Sequence, residues 1–251
     1  MDTHRIRERS PISPSAGYLL GAAVSLTLLI PSVATGQATL TGRIEGTVSV
    51  GGTTDLSPTR VENSTDPDVC GTEHSLQNLV VSPDNRGVRH TIVTIEGLED
   101  GRVPSHGPER LVIDNRDCQF VPHVMVATIG DTIVAVNSDS TLHNTHYYGP
   151  MRSNIALAEP GMAVARPTRR LGLVTVLCDV HGWMKAYIRI DPHHLHAVTD
   201  ATGRFQIEGI PPGDYQLRFW HERLGERLVD LEIRAGEERT VDLEFSPPDG
   251  R

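Results

Sequence analysis

Three features of the 251 residues predict an all-β chain. Short runs rich in Val, Ile and Thr recur along the sequence, Gly, Pro, Asn and Asp punctuate them, and no stretch keeps a helical period. The clearest runs are 43–50, 89–97, 110–115, 123–129, 132–137, 172–178 and 185–190. That many short strands suits a sandwich of about 100 to 150 residues. Within "MKAYIRI", Met184, Ala186, Ile188 and Ile190 alternate with Lys185, Tyr187 and Arg189, so one face is core and the other wet.

Ahead of the strands, residues 1–36 start with Arg5, Arg7 and Arg9, run through an apolar stretch from Gly17 to Ile30, and leave through Ala34-Thr35-Gly36. This reads as a secretory signal peptide cleaved near Gly36. The apolar stretch is shorter than the roughly 20 residues that span a bilayer. No Cys follows it closely and no twin-arginine pair precedes it, so general export is expected, without a lipid anchor there. No later segment reads as a membrane span, and the expected location is periplasmic or extracellular. Asp and Glu outnumber Lys and Arg by 32 to 23. With no basic stripe and no stacked aromatics, that balance argues against a nucleic-acid partner.

Residues 37–190 read as the main domain. Between Asn144 and Arg170 no period is clear, and Gly149-Pro150, Pro160-Gly161 and Pro167 predict an irregular excursion of the kind that often borders a site. Composition breaks at "DPHHLHAVTD", and residues 191–251 form a second β region. There Phe205 and Ile207 alternate, Pro211-Pro212-Gly213 turns the chain, Tyr215, Leu217 and Phe219 alternate again, and two strands follow around "LVDLEIR" and "RTVDLEF". A piece of about 55 residues has a thin core, so it is expected to pack against the first domain.

Three cysteines remain after cleavage: Cys70, Cys118 and Cys178. In an exported protein an odd count implies one disulfide and one thiol with another task. Cys70 and Cys118, both in loop-like contexts, are the expected pair. The alternatives are two buried thiols, or a small metal site with His74 or His123.

Cys178 lies in "CDVHGWMK", where a thiol, the imidazole of His181 and the thioether of Met184 stand three residues apart. A thiolate, two imidazoles and a weak thioether suit copper, because soft sulfur favours Cu(I) while imidazole serves both oxidation states. Two His, one Cys and a Met would be unusual for zinc. A second imidazole is needed, and "NSDSTLHNTHYYG" offers His143 and His146. That segment follows the strand 132–137 as Cys178 follows 172–178, so two strand ends at one rim could bring the groups together. On a strand, side chains three apart face opposite ways, so only one of the two histidines can aim at a given ion.

With His143-Asn144 upstream of "CDVHGWM", residues 85–190 resemble the cupredoxin family, and within it the amicyanin and plastocyanin group. The resemblance implies a Greek-key β-sandwich binding one type 1 copper through His143, Cys178, His181 and Met184. It favours His143 over His146 and implies that Asn144 ties the two ligand loops together near the sulfur. The short gap from His181 to Met184 is similar to amicyanin. The segment from Gln37 to about Pro83 exceeds what a minimal member needs. "VTDATGRFQIEGIPPGDYQL", with Asp200, Gly203, Pro212 and Gly213, resembles the carboxypeptidase regulatory-like family, a small transthyretin-like β-sandwich.

The resulting expectation is an exported one-electron carrier, not an enzyme by itself, that docks transiently with a redox protein donor and acceptor and passes electrons through a solvent-edge ligand such as His181. Other classes are a structural or carbohydrate-associated module of the cell envelope that keeps copper for stability, and a copper enzyme subunit. No G-x-S-x-G or other nucleophile signature points to hydrolysis. Among the twelve histidines, His193, His194 and His196 read as contacts at the junction, and His123 and His221 as packing or hydrogen-bonding residues. Trp183 reads as a cover of the site, part of a docking surface, or packing.

Overall fold

The computed structural model describes residues 40–98, 102–103 and 106–247. The expected signal peptide, 1–36, lies outside the described residues. In chain order the strands are β1 (Gly42–Val50), β2 (Thr59–Glu62), β3 (Glu73–Leu76), β4 (Ile92–Glu96), β5 (Arg110–Arg116), β6 (Gln119–Val121) and β7 (Val124–Thr128). They continue as β8 (Thr132–Asn137), β9 (His143–Tyr148), β10 (Ser153–Leu157), β11 (Ala163–Pro167), β12 (Gly172–Leu177) and β13 (Lys185–Asp191). The last are β14 (His196–Val198), β15 (Arg204–Ile210), β16 (Gly213–His221), β17 (Gly225–Ile233), β18 (Glu238–Thr240) and β19 (Leu243–Phe245). One helical turn, α1 (Pro67–Cys70), separates β2 from β3. Among the described residues no helix is long and apolar enough to cross a membrane.

The described chain is all-β: β2 and β3 pair with each other, and the other strands form two sandwiches. In the first, a sheet ordered β10-β9-β12-β13-β7 packs on one ordered β11-β8-β5-β6. Alternation puts Val174 and Val176 of β12 and Ala186, Ile188 and Ile190 of β13 inward, where they meet Ile113, Ile133 and Ala135 of the facing sheet. Each large apolar side chain buried this way contributes about 1.5–3 kcal/mol.

The second sandwich corrects the expected boundary between residues 190 and 191. Its sheets run β15-β1-β18, with β19 also on β1, and β14-β4-β16-β17. Both β1 and β4, expected in the first domain, are interior strands here: β1 pairs antiparallel with β15 and parallel with β18 and β19, and β4 lies between β14 and β16. Ile44, Val48, Val93 and Ile95 share a core with Phe205, Ile207, Leu217 and Phe219. The physical reason is the thin core: the strands after residue 191 cannot bury their apolar faces alone, and the leading segment completes them. Gly203 sits at this join with φ 78°, and a Cβ there would lie 2.3 Å from the Val48 carbonyl oxygen.

The excursion expected from Asn144 to Arg170 is also corrected, since it holds most of β9 together with β10 and β11. The two sandwiches meet through polar contacts. Buried Asp191 takes Arg189 at 2.7 Å, His196 at 3.1 Å and Thr94 at 3.1 Å, and His123 bridges the Lys185 carbonyl at 3.0 Å and the Glu222 carboxylate.

Because Ile44 is fully buried, Ile44→Ala should destabilise the protein by about 2–5 kcal/mol. The denaturant midpoint measures this; an unchanged midpoint would place β1 outside the core.

Candidate metal centre

The site forms at one end of the first sandwich because β9 pairs antiparallel with β12, Leu177 opposite His146. That register sets His143, the first residue of β9, beside the loop that begins at Cys178. The loop folds into a closed turn: the Met184 amide donates to the His181 carbonyl (2.9 Å), the Cys178 amide to the Met184 carbonyl (3.3 Å), and the His181 amide to the Cys178 sulfur (3.4 Å). Cys178, His143, His181 and Met184 are all buried, and Cys178 is the free cysteine.

Both imidazoles present Nδ1 to the thiol, at 4.0 Å for His143 and 3.8 Å for His181. A metal about 2.3 Å from sulfur and about 2.0 Å from nitrogen, at a trigonal angle, sets those atoms about 3.7 Å apart. The two sulfur–nitrogen distances lie close to that spacing.

Carboxylates fix the rings. Asp139 Oδ2 lies 2.9 Å from His143 Nε2, and Asp66 Oδ2 lies 3.3 Å from His181 Nε2. A carboxylate accepts only, so each ring carries its proton on Nε2 and leaves the Nδ1 lone pair toward Cys178. Burial pushes both histidines below the ordinary imidazole pKa, against the opposing pull of these carboxylates. Neutral rings suit ligation.

Asn144 joins the two loops. Its side-chain oxygen accepts from the Asp179 amide (2.6 Å) and the Cys178 thiol (3.3 Å), and its nitrogen donates to Asp179 (2.8 Å) and Asn154 (2.7 Å). His146 turns the other way along β9, onto Asp179 (3.0 Å) and the Tyr148 ring (4.0 Å between centroids).

The disulfide joins Cys70 to Cys118 and pins the β2-α1-β3 segment over the site. Cys70 Sγ lies 3.6 Å from His181 Nε2, and Trp183 stacks on His74 at 4.0 Å while donating to the Cys118 carbonyl at 2.9 Å. His181 is consequently 0% exposed, which corrects its expected role as a solvent-edge ligand. Asp66 and Asp139 were missed by sequence reasoning; each is remote in sequence from the ring it holds, or lies in a loop with no pattern of its own.

No family description matches the chain, and no curated protein matches it. Solved structures align with part of the chain. A copper-containing nitrite reductase from Thermus scotoductus SA-01 is 20% identical over 39% of this chain and 28% of its own length, with a TM-score of 0.31. A purple cupredoxin from Nitrosopumilus maritimus is 17% identical over 33% of this chain and 99% of its own, with a TM-score of 0.30. An amicyanin variant in the Cu(I) form is 20% identical over 39% and 98%, with a TM-score of 0.28. The chain thus spans little more than a quarter of the nitrite reductase. The expectation that the chain is not an enzyme by itself is withdrawn, since a copper-containing nitrite reductase is among these partial neighbours.

Asn144→Ala should lower metal affinity by about 10–100-fold, the usual effect of losing a group that orients ligands. Competition with a chromophoric chelator measures it, and an unchanged affinity would remove Asn144 from the site.

Proposed function

We propose that the chain holds one type 1 copper through His143, Cys178, His181 and Met184, and passes single electrons between redox partners that dock transiently. The observation that carries this reading is the Cys178 thiol facing two Nδ1 atoms at 4.0 and 3.8 Å with Met184 buried in the same loop. Copper bound there would supply a Cu(II)/Cu(I) couple.

The residues of the chain do the rest. Asp139 and Asp66 hold the imidazoles in the ligating tautomer, Asn144 locks the Cys178 loop to the His143 strand, and the disulfide-pinned β2-α1-β3 segment keeps water from the His181 edge. Ligands held this way reorganise little when charge changes, the requirement for fast electron exchange. The disulfide supports export to an oxidising compartment. Weak, small interfaces suit partners that must separate.

Two outcomes test the assignment. The copper-loaded chain should show an intense visible thiolate-to-copper band that vanishes on reduction and in Cys178→Ser; a colourless Cu(II) protein contradicts it. His143→Ala should lose copper and colour, whereas His146→Ala should keep both. Loss of the centre in His146→Ala alone would exchange the two histidines.

A further inference from the structure

We propose that the Cys70–Cys118 disulfide suppresses a second, competing metal site on the opposite edges of the same two histidines, and that the chain with this bond opened takes a thiophilic divalent cation such as Zn2+ or Co2+ there. The inference goes beyond the copper reading, sharing its imidazoles but neither its thiol nor its metal.

The geometry points there twice. Ligating atoms of Cys70, His143 and His181 all lie within 4.8 Å of one another, and so do those of Cys118, Asp139 and His143. Both cysteines and both histidines are buried. Cys70 Sγ is 3.6 Å from His181 Nε2, and Asp139 Oδ2 is 2.9 Å from both His143 Nε2 and the Cys118 amide. The two sets overlap at His143, so together they offer two sulfurs, two imidazole nitrogens and one carboxylate. Two thiolates with imidazole make a donor set of the zinc type.

With the bond closed, neither sulfur carries the charge a metal needs, and the Nε2 atoms are left donating to Asp66 and Asp139. With it open, two thiols appear beside the rings. A neutral imidazole has one free nitrogen lone pair, so a cation on Nε2 takes the ring away from Nδ1. Opening and closing the bond therefore selects which edge of His143 and His181 binds metal. Disulfide formation before metal loading commits the chain to Cys178.

The test uses the apoprotein carrying Cys178→Ser, so that no thiol of the copper site contributes. A phosphine reductant opens the bond: two electrons pass from phosphorus to the S–S bond, water supplies two protons to the thiols and its oxygen to the phosphine oxide. Co2+ is then titrated into closed and opened protein. Opened protein should bind about one Co2+ with a thiolate-to-cobalt band and more tightly than closed protein by at least the ~10–100-fold that losing even an orienting group costs. Zn2+ should displace it, and adding His181→Ala should weaken the band. No thiolate band in opened protein would overturn the proposal. So would a band indifferent to His181→Ala, or loss of β-sheet circular dichroism on opening, since either means that cysteines of an unfolded chain bind the ion. Each readout is independent of Cys178, so failure here leaves the copper assignment standing, and a colourless copper protein leaves this one standing.

Discussion

The antiparallel register of β9 against β12, with Leu177 opposite His146, is the constraint on which the rest depends. A slip by one residue would turn His143 to the other face of its sheet and separate it from Cys178. The register is held from both sides, by the core under Val174 and Val176 and by Asn144, which bonds across to Asp179 and Cys178. Packing and chemistry fix the same alignment. The approach of the Cys178 thiol to the His181 imidazole then follows from a closed turn of seven residues, Cys178 to Met184.

Around that turn the leading segment serves two ends of the molecule. Strands β1 and β4 fill the centre of the second sandwich, while β2, α1 and β3 lie between them in sequence and cover the Cys178 end of the first. Asp66 sits in the left-handed region, φ 48°, a conformation with a cost for a non-glycine residue. It is held there by Thr141 at 2.7 Å and by His181, and Cys70 follows one helical turn later. One covalent bond thereby governs the depth of the site, the tautomer of His181 and the sulfur nearest to it. The disulfide should also stabilise the fold by about 2–4 kcal/mol.

Much of the strand pattern was legible because β13 and β16 alternate cleanly between one wet and one dry face. The Cys70–Cys118 pairing was legible from the odd cysteine count and the export that the sequence leads one to expect. The exchange of β1 and β4 was not, since a two-residue period says which face is buried and not which sheet receives the strand. β9 was obscured because it buries polar Asn144 and Thr145, and β11 because Pro167 ends it; an edge strand paired with β8 alone tolerates that proline. The covering of His181 was hidden for another reason. Asp66 and Cys70 meet the ring across more than a hundred residues of sequence, and local pattern carries no trace of that approach.

X-ray absorption at the copper edge of the loaded, disulfide-intact protein tests the central claim most directly. One short copper–sulfur distance and two copper–nitrogen distances from imidazole are expected, with the sulfur contribution absent in Cys178→Ser. A wild-type spectrum fitted by nitrogen and oxygen alone, without sulfur, would contradict it.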